Sequence, residues 1–238
     1  FEAVTKQFHS GEGAIQFAPE AIARSNADIL DKDHLKSEFI EIYTEQGKEE
    51  AKKWINLNYG PFPEEELNHR LTRYGLNPCG EILGNDFHCN LAEVHLNQIN
   101  PDNVNEQRKA FKAAALSVAC LLNHEFEVER YRKSREFDPI VGVSFTGLFD
   151  FFVHAFGTPW LKWWEKGRPN SEEGKIFKER ESLYLKSWRD IVKETVWEYC
   201  DKHNLRRPNR CTTVQPAGTK SLLTGAAPGW HPPKAQRF

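Results

Sequence analysis

Apolar and polar positions follow two periods along this chain, one helical and one strand-like. From Pro19, "PEAIARSNADIL" places Ala21, Ile22, Ile29 and Leu30 at helical spacing, with Pro19 suited to a first helical position. Asp33 reads as the cap of the next helix, which is expected to reach Gly47. Residues 48–57, with "EEAKKWINL", are strong helix-forming material and predict another helix. "NYGPFPEEE" breaks that run, and one short helix is expected within Glu64 to Tyr74. Residues 1–16 read as a loop with a short extended piece.

Beyond residue 75 the pattern changes. Residues 75–94 are punctuated by Gly, Pro, Asn and Asp and predict loop, turn and short strand. Residues 104–126 predict a helix capped by Asn103 or Asp102, with Phe111, Ala114, Ala115, Val118, Leu121 and Leu122 on its apolar face. "PIVGVSFTGLFDFFVHAFG" (139–157) is a β-branched run, a glycine, then an aromatic helix, which is a strand-to-helix unit of the α/β kind. A long helix is expected over 171–203, with Phe177, Tyr184, Trp188, Ile191 or Val192, Val196 and Tyr199 along one side. A second strand-to-helix unit follows: a strand at 211–215, a Pro-Ala-Gly turn, and a helix starting near Thr219. "WLKWW" (160–164) reads as core or contact surface rather than as a base-stacking platform.

Composition narrows the class without changing this picture. Of 238 residues, 39% are hydrophobic and 28% charged, enough for a globular core. The net charge of −2 supplies no basic field for nucleic acid or a membrane surface. No apolar run is long enough for a transmembrane helix and no signal-peptide pattern opens the chain, so a cytoplasmic location is expected. The five cysteines (79, 89, 120, 200 and 211) read as reduced thiols rather than a disulfide framework. The start at Phe1 and the absence of methionine are read as the mark of a piece of a larger protein.

Three features carry chemistry. In "NPCGEI", Pro78 and Gly80 make a tight turn with Cys79 at its tip. In an extended segment Asn77, Cys79 and Glu81 would share one side, presenting an amide, a thiol and a carboxylate to one substrate. A carboxylate beside a thiol disfavours the thiolate, so the set suits a sulfur that reacts as a neutral or radical species. Ten residues on, Cys89 in "HCNLAEV" reads as a redox-exchanging thiol. Zinc with His88 and His95 is the alternative there, although structural zinc favours closer knuckles, and no metal ligand set is assigned. Cys120 and Cys200 read as ordinary core or surface thiols. In "QPAGTKSLL" the order G-T-K-S departs from a Walker A loop, but a glycine turn opens a helix, and Ala217, Gly218, Thr219, Lys220 and Ser221 could hold an anion. Lys220 in a first turn opposes the helix dipole, a conflict that a bound phosphate would relieve; an ordinary capped helix is the other reading.

"NPCGEI", "CNLAEV", "DPIVGVSFTGLFDFF" and "TTVQPAGTKSLLTGAAPGWHPPKAQRF", in that order, resemble the ribonucleotide reductases. The resemblance runs through essentially the whole chain and is greatest to the adenosylcobalamin-dependent class II enzymes of the monomeric, ribonucleoside-triphosphate type. It implies an α/β fold, part of a ten-stranded α/β barrel with a finger loop carrying a radical cysteine. It further implies that Cys79 carries a thiyl radical that takes the ribose 3′-hydrogen. By the same resemblance Glu81 is the base on the 3′-hydroxyl, Asn77 holds the ribose hydroxyls, Cys89 is half of the dithiol that reduces the 2′-carbon, and 217–221 hold the substrate phosphates. The implied cofactor is adenosylcobalamin, and the implied reductant is an external dithiol of thioredoxin type.

The same resemblance makes residues 1–238 a portion of a single catalytic barrel domain, without its N-terminal half-barrel and C-terminal tail. The partner of Cys89 is then expected on a strand before Phe1, and the chain is expected to need other segments or chains. Two other readings stand beside it: a phosphate-binding assembly fragment, inactive alone, and a zinc or thiol-redox module around Cys79, Cys89 and His88.

Overall fold

The computed structural model describes residues 1–11, 15–88 and 90–233, and within it the chain folds as two compact units. Residues 1–75 and 83–85 make the first. It is helical: α1 (Glu2–Ser10), α2 (Ala18–Ser25), α3 (Asp33–Gln46), α4 (Lys48–Tyr59) and α5 (Glu64–Arg70). The loop expected at the start is thus a helix instead. Helix α1 buries no residue. Asp33 opens α3 without acting as a side-chain cap; Lys32 holds the cap position.

The core of this unit gathers Ile22, Leu30, Phe39, Ala51, Ile55, Leu67 and Leu71, the helix faces that the apolar spacing implied. Arg70 lies beneath them, its side chain 2% exposed, and donates to Asn26, Asp28 and Glu66 while stacking on Phe62. A buried guanidinium needs partners for its donors; here two carboxylates and an amide meet the two terminal nitrogens, while Nε is buried without a partner among the described residues.

The second unit comprises residues 76–82 and 86–238. The short strands β1 (Gly75–Leu76) and β2 (Leu83–Gly84) flank residues 77–82 in the sequence. There follow β3 (Asn90–His95), α6 (Val104–Ala119), α7 (Glu129–Phe137), β4 (Val141–Thr146), α8 (Leu148–Glu165), α9 (Glu172–Lys202) and the single turn α10 (Gly218–Ser221). Asn103 caps α6 by accepting the Glu106 amide, as the sequence implied. Helix α7 was not foreseen; its sequence is dominated by charged residues and Ser134 is its one buried residue. Helix α8 is interrupted at Gly157, whose φ of 72° and ψ of −164° leave the helical region. Trp160 and Trp163 of the aromatic run are both buried in the core.

Strands β3 and β4 pair in parallel, Asn90 opposite Val141 through His95 opposite Thr146. Residues 211–215, expected as a strand, extend this pair by one parallel bridge, Val143 to Thr212. The Val143 amide donates to the Cys211 carbonyl at 3.0 Å, and the Thr213 amide donates to the Val143 carbonyl at 3.1 Å. Two strands on the α/β pattern, joined by a helical crossover, give the expected α/β class.

One face of this sheet is apolar. Val94, Val141, Val143 and Phe145 pack with Phe111, Val118, Trp188 and Val192 of α6 and α9. Because side chains alternate, Leu91, Glu93, His95, Gly142, Ser144 and Thr146 fall on the other face. That second face is polar, and a period of two places the polar set there as firmly as the apolar set on the helices.

Candidate functional site

The polar face is where the candidate chemistry collects. Loop 77–82 is closed by Asn77. Its amide donates to the Ile82 carbonyl at 3.3 Å, its side-chain Oδ1 accepts the Ile82 amide at 3.1 Å, and its carbonyl accepts the Gly80 amide at 2.9 Å. The last bond makes Asn77–Gly80 a β-turn, with Gly80 at φ 74°, a conformation that costs glycine little. The geometric premise of an extended segment is corrected here: the chain turns at Cys79. Asn77 spends its side chain on closing the loop, Cys79 stands exposed at the tip, and one carboxylate oxygen of Glu81 (Oε2) is buried without a hydrogen-bond partner among the described residues.

Thr213 fastens this loop to the sheet, its hydroxyl donating to the Glu81 carbonyl at 2.7 Å. Gly142 lies beneath, where an added Cβ would stand 2.6 Å from Leu91 Cδ2 and 3.0 Å from Thr213 Cγ2. Glycine there lets the neighbouring side chains close over the strand. Cys89 lies outside the described residues. Its neighbour His88 contacts Asn90 Oδ1 through Nδ1 at 3.0 Å and stacks near His124 and Phe126. No group of three His, Cys, Asp or Glu side chains able to hold a metal occurs among the described residues.

At the carboxyl end of the sheet, where open α/β sheets receive ligands, the chain makes a second polar cluster. Gln215 donates its backbone amide to Ser144 Oγ and its side-chain amide to Glu93 Oε2. Lys220 Nζ reaches the same Oε2 at 2.9 Å, and the Glu93 side chain is only 4% exposed. Its other oxygen, Oε1, is buried with no hydrogen-bond partner among the described residues. His95 Nδ1 meets Thr224 Oγ1 at 2.7 Å, and Asn97 binds Thr224 through both its side-chain atoms.

Residues 217–221 border this cluster. Ala217 and Ser221 are buried, while Gly218, Thr219 and Lys220 are exposed. Helix α10 starts at Gly218 and holds only four residues, with Ser221 Oγ donating to the Gly218 carbonyl at 2.9 Å. The electrostatic conflict at Lys220, which a phosphate was expected to relieve, is met within the chain by Glu93. Sequence reasoning missed Glu93. The signal was present: a charged residue inside the apolar run "NLAEV", on the same parity as His95. A cleft of about 340 Å³ is lined by Val143, Phe145, Trp188, Thr213 and Trp230, and Cys79, Glu81, Glu93 and Lys220 are not among its lining residues.

The remaining thiols are free. Cys120 is exposed, whereas Cys200 and Cys211 are buried. Burial pushes Cys200 up to about 11 and Cys211 up to about 12, so neither is a thiolate at neutral pH.

No protein-family model matches the chain. Curated relatives do. An adenosylcobalamin-dependent ribonucleoside-triphosphate reductase of Lactobacillus gasseri is 31% identical over 172 residues, 66% of this chain and 22% of that protein. Proteins of the same name from Levilactobacillus brevis and Lacticaseibacillus paracasei are 29% and 31% identical, with the same coverage. A crystal structure of a B-12 dependent (class II) ribonucleotide reductase superposes with a TM-score of 0.55 at 22% identity, over 67% of this chain and 23% of that one. That likeness bears on the fold and supports the α/β class. The chain spans about a fifth of the length of the curated relatives it matches, 22% in each case quoted. The resemblance read from four sequence motifs is therefore matched by relatives, and this chain is similar to a part of the adenosylcobalamin-dependent ribonucleoside-triphosphate reductases.

Proposed function

We propose that this chain is part of the catalytic barrel of an adenosylcobalamin-dependent ribonucleoside-triphosphate reductase. The reaction is ribonucleotide plus dithiol giving 2′-deoxyribonucleotide, water and disulfide. One observation carries the reading: the Cys79 loop is tied by Thr213 to the polar face of a parallel sheet whose carboxyl end leads into residues 217–221. A reactive tip and an anion-binding turn on one sheet are the parts that a phosphorylated substrate requires.

In this reading Cys79 is the hydrogen-atom carrier, and its sulfur, as a thiyl radical, takes the 3′-hydrogen of the ribose. Glu81 accepts the 3′-hydroxyl proton, which gives work to a carboxylate whose Oε2 has no described partner. Asn77 keeps the loop closed and offers its amide to the ribose hydroxyls. Cys89, with a thiol from a segment outside this chain, supplies two electrons to the 2′-carbon as the 2′-hydroxyl leaves as water. The resulting disulfide is returned to the dithiol by a thioredoxin-like reductant. Ala217 to Ser221 hold the triphosphate.

The Cys79 thiol is exposed at the tip, and an added Cβ at Gly80 would meet nothing within 4 Å, so the tip is open to a radical-generating cofactor in this reading. Adenosylcobalamin, when bound, supplies the radical chemistry that no protein side chain provides. The remaining strands of a ten-stranded barrel would come from other segments, which also makes the chain inactive by itself in this reading, in the cytoplasm where its thiols stay reduced. No helix among the described residues is long and apolar enough to cross a membrane.

The test joins this chain to the complementary segments of a relative, with adenosylcobalamin, a ribonucleoside triphosphate and a dithiol. Deoxynucleotide formation and a cobalt-coupled radical signal in electron paramagnetic resonance are expected. Cys79→Ser abolishes both, whereas Cys89→Ser blocks multiple turnovers while leaving the radical signal. Normal turnover by Cys79→Ser sinks the mechanism.

A further inference from the structure

We propose that Glu93 is a positioning residue that clamps the 215–220 turn onto the sheet and so sets the anion-binding geometry of residues 217–221. The inference rests on the phosphate reading of that turn and adds a residue to it. Glu93 sits in the middle of β3, opposite Ser144. A single oxygen, Oε2, accepts from Gln215 before the Pro-Ala-Gly turn and from Lys220 after it. One carboxylate on a paired strand therefore grips both sides of the turn, while Ser144 fixes the Gln215 backbone from the neighbouring strand. Side chains held by packed strands place a site more precisely than loop residues can alone.

Burial decides between this role and simple charge competition. The Glu93 side chain is 4% exposed and Lys220 is 47% exposed. A carboxylate so buried loses most of its hydration, and Lys220 is the cation described against it. Drawing Lys220 away to a phosphate would leave that charge unmatched. Lys220 therefore keeps Glu93 as a partner while residues 217–221 meet the anion in a geometry that the clamp maintains. Oε1 makes no described hydrogen bond, so all of the carboxylate's described hydrogen bonding is spent on the two ends of the turn.

The experiment titrates the full 238-residue chain with inorganic triphosphate by calorimetry, with circular dichroism and thermal melts to measure the folded fraction. Glu93→Ala removes the clamp, and binding should weaken about tenfold. Glu93→Gln keeps an oxygen for Gln215 and Lys220 and should restore affinity to within about threefold of the parent. Gln215→Ala leaves the ion pair in place and should weaken binding about threefold to tenfold, with little further loss when combined with Glu93→Ala. It keeps the proposal testable should Glu93→Ala fail to fold. Tighter binding in either Glu93 variant shows that Glu93 competes with the anion and overturns the clamp. Equal loss in both Glu93 variants, or unchanged affinity after correction for folded fraction, overturns it as well. A parent chain that fails to bind triphosphate refutes the phosphate reading itself, and the positioning role falls with it.

Discussion

The hydroxyl of Thr213 donates to the carbonyl of Glu81 at 2.7 Å and so joins the tip loop to the strand that leads into the second polar cluster. Within itself the loop is closed by Asn77, and the Thr213 bond ties it to the sheet. Thr213→Val keeps the shape of the side chain and deletes the donor. The expected cost is about 1 kcal/mol in global stability, typical of one hydrogen bond. The local effect should be larger. Amide exchange at Gly80 and Ile82, read by mass spectrometry, should rise while α6 and α9 stay protected. Unchanged exchange in loop 77–82 would show that Asn77 alone holds it.

Gly147 makes the turn from β4 into α8 at φ 72°, in the left-handed region. A Cβ there would stand 2.9 Å from the Asn97 backbone nitrogen and 3.2 Å from Ala226 Cβ. Gly147→Ala thus adds both strain and a collision with the Asn97 backbone. A loss of about 2 kcal/mol or more is expected, seen as a lower midpoint in urea. Gly80→Ala has a similar φ but open space around it, so its cost should be only the strain, about 1 kcal/mol.

In the helical unit, Asp28 and Arg70 set an acid limit. Burial raises the Asp28 carboxyl, but the hydrogen bonds and charge of Arg70, with Arg73 behind it, outweigh burial and hold it below the ordinary 3.8. The folded state therefore binds the Asp28 proton less tightly than the unfolded chain does. Its stabilisation is complete above pH 3.8 and is lost as pH falls below that value. Asp28→Asn should flatten the pH dependence of unfolding in this range. Arg70→Met, which removes the cation that Asp28 and Glu66 share, should cost about 3–5 kcal/mol at pH 7. Urea titrations followed by tryptophan fluorescence at pH 7 and pH 3 check both.

How much of this was legible in the sequence depends on where each residue's partners lie. Helices α6 and α9 were visible because each buries a stripe with a 3.6-residue period, and α3 because Asp33 and Gly47 mark its ends. Helix α1 was missed although Val4 and Phe8 stand four residues apart in it, both exposed, and α7 was missed because it is short and dominated by charged residues. The Cys79 turn was readable from Pro78 and Gly80, which act locally. The use of Asn77 for loop closure was not, since the same amide serves equally well as a ligand donor. Glu93 is the extreme case: its partner Gln215 is 122 residues away, a distance that only the parallel register closes.

The four described thiols should separate cleanly by exposure. Cys79 and Cys120 are exposed and should be alkylated by iodoacetamide in the folded chain. Cys200 and Cys211 are buried, and burial lifts them to about 11 and about 12 against 9.0 for a free thiol. An acid whose folded pKa is raised favours the folded state while both states are protonated. Its contribution is therefore whole below pH 9.0 and is lost as pH rises toward 11 and 12. Each thiol lowers stability by up to about 1.4 kcal/mol per pH unit in that window. Urea midpoints measured from pH 7.5 to 10.5 should fall accordingly, and Cys211→Ala should reduce the slope even though it leaves a small cavity. Peptide mapping after brief alkylation at pH 8 completes the test. Labelling of Cys211 as fast as Cys79 would mean that the sheet edge at 211–213 opens readily, and the attachment of the Cys79 loop through Thr213 would then be too weak to position anything.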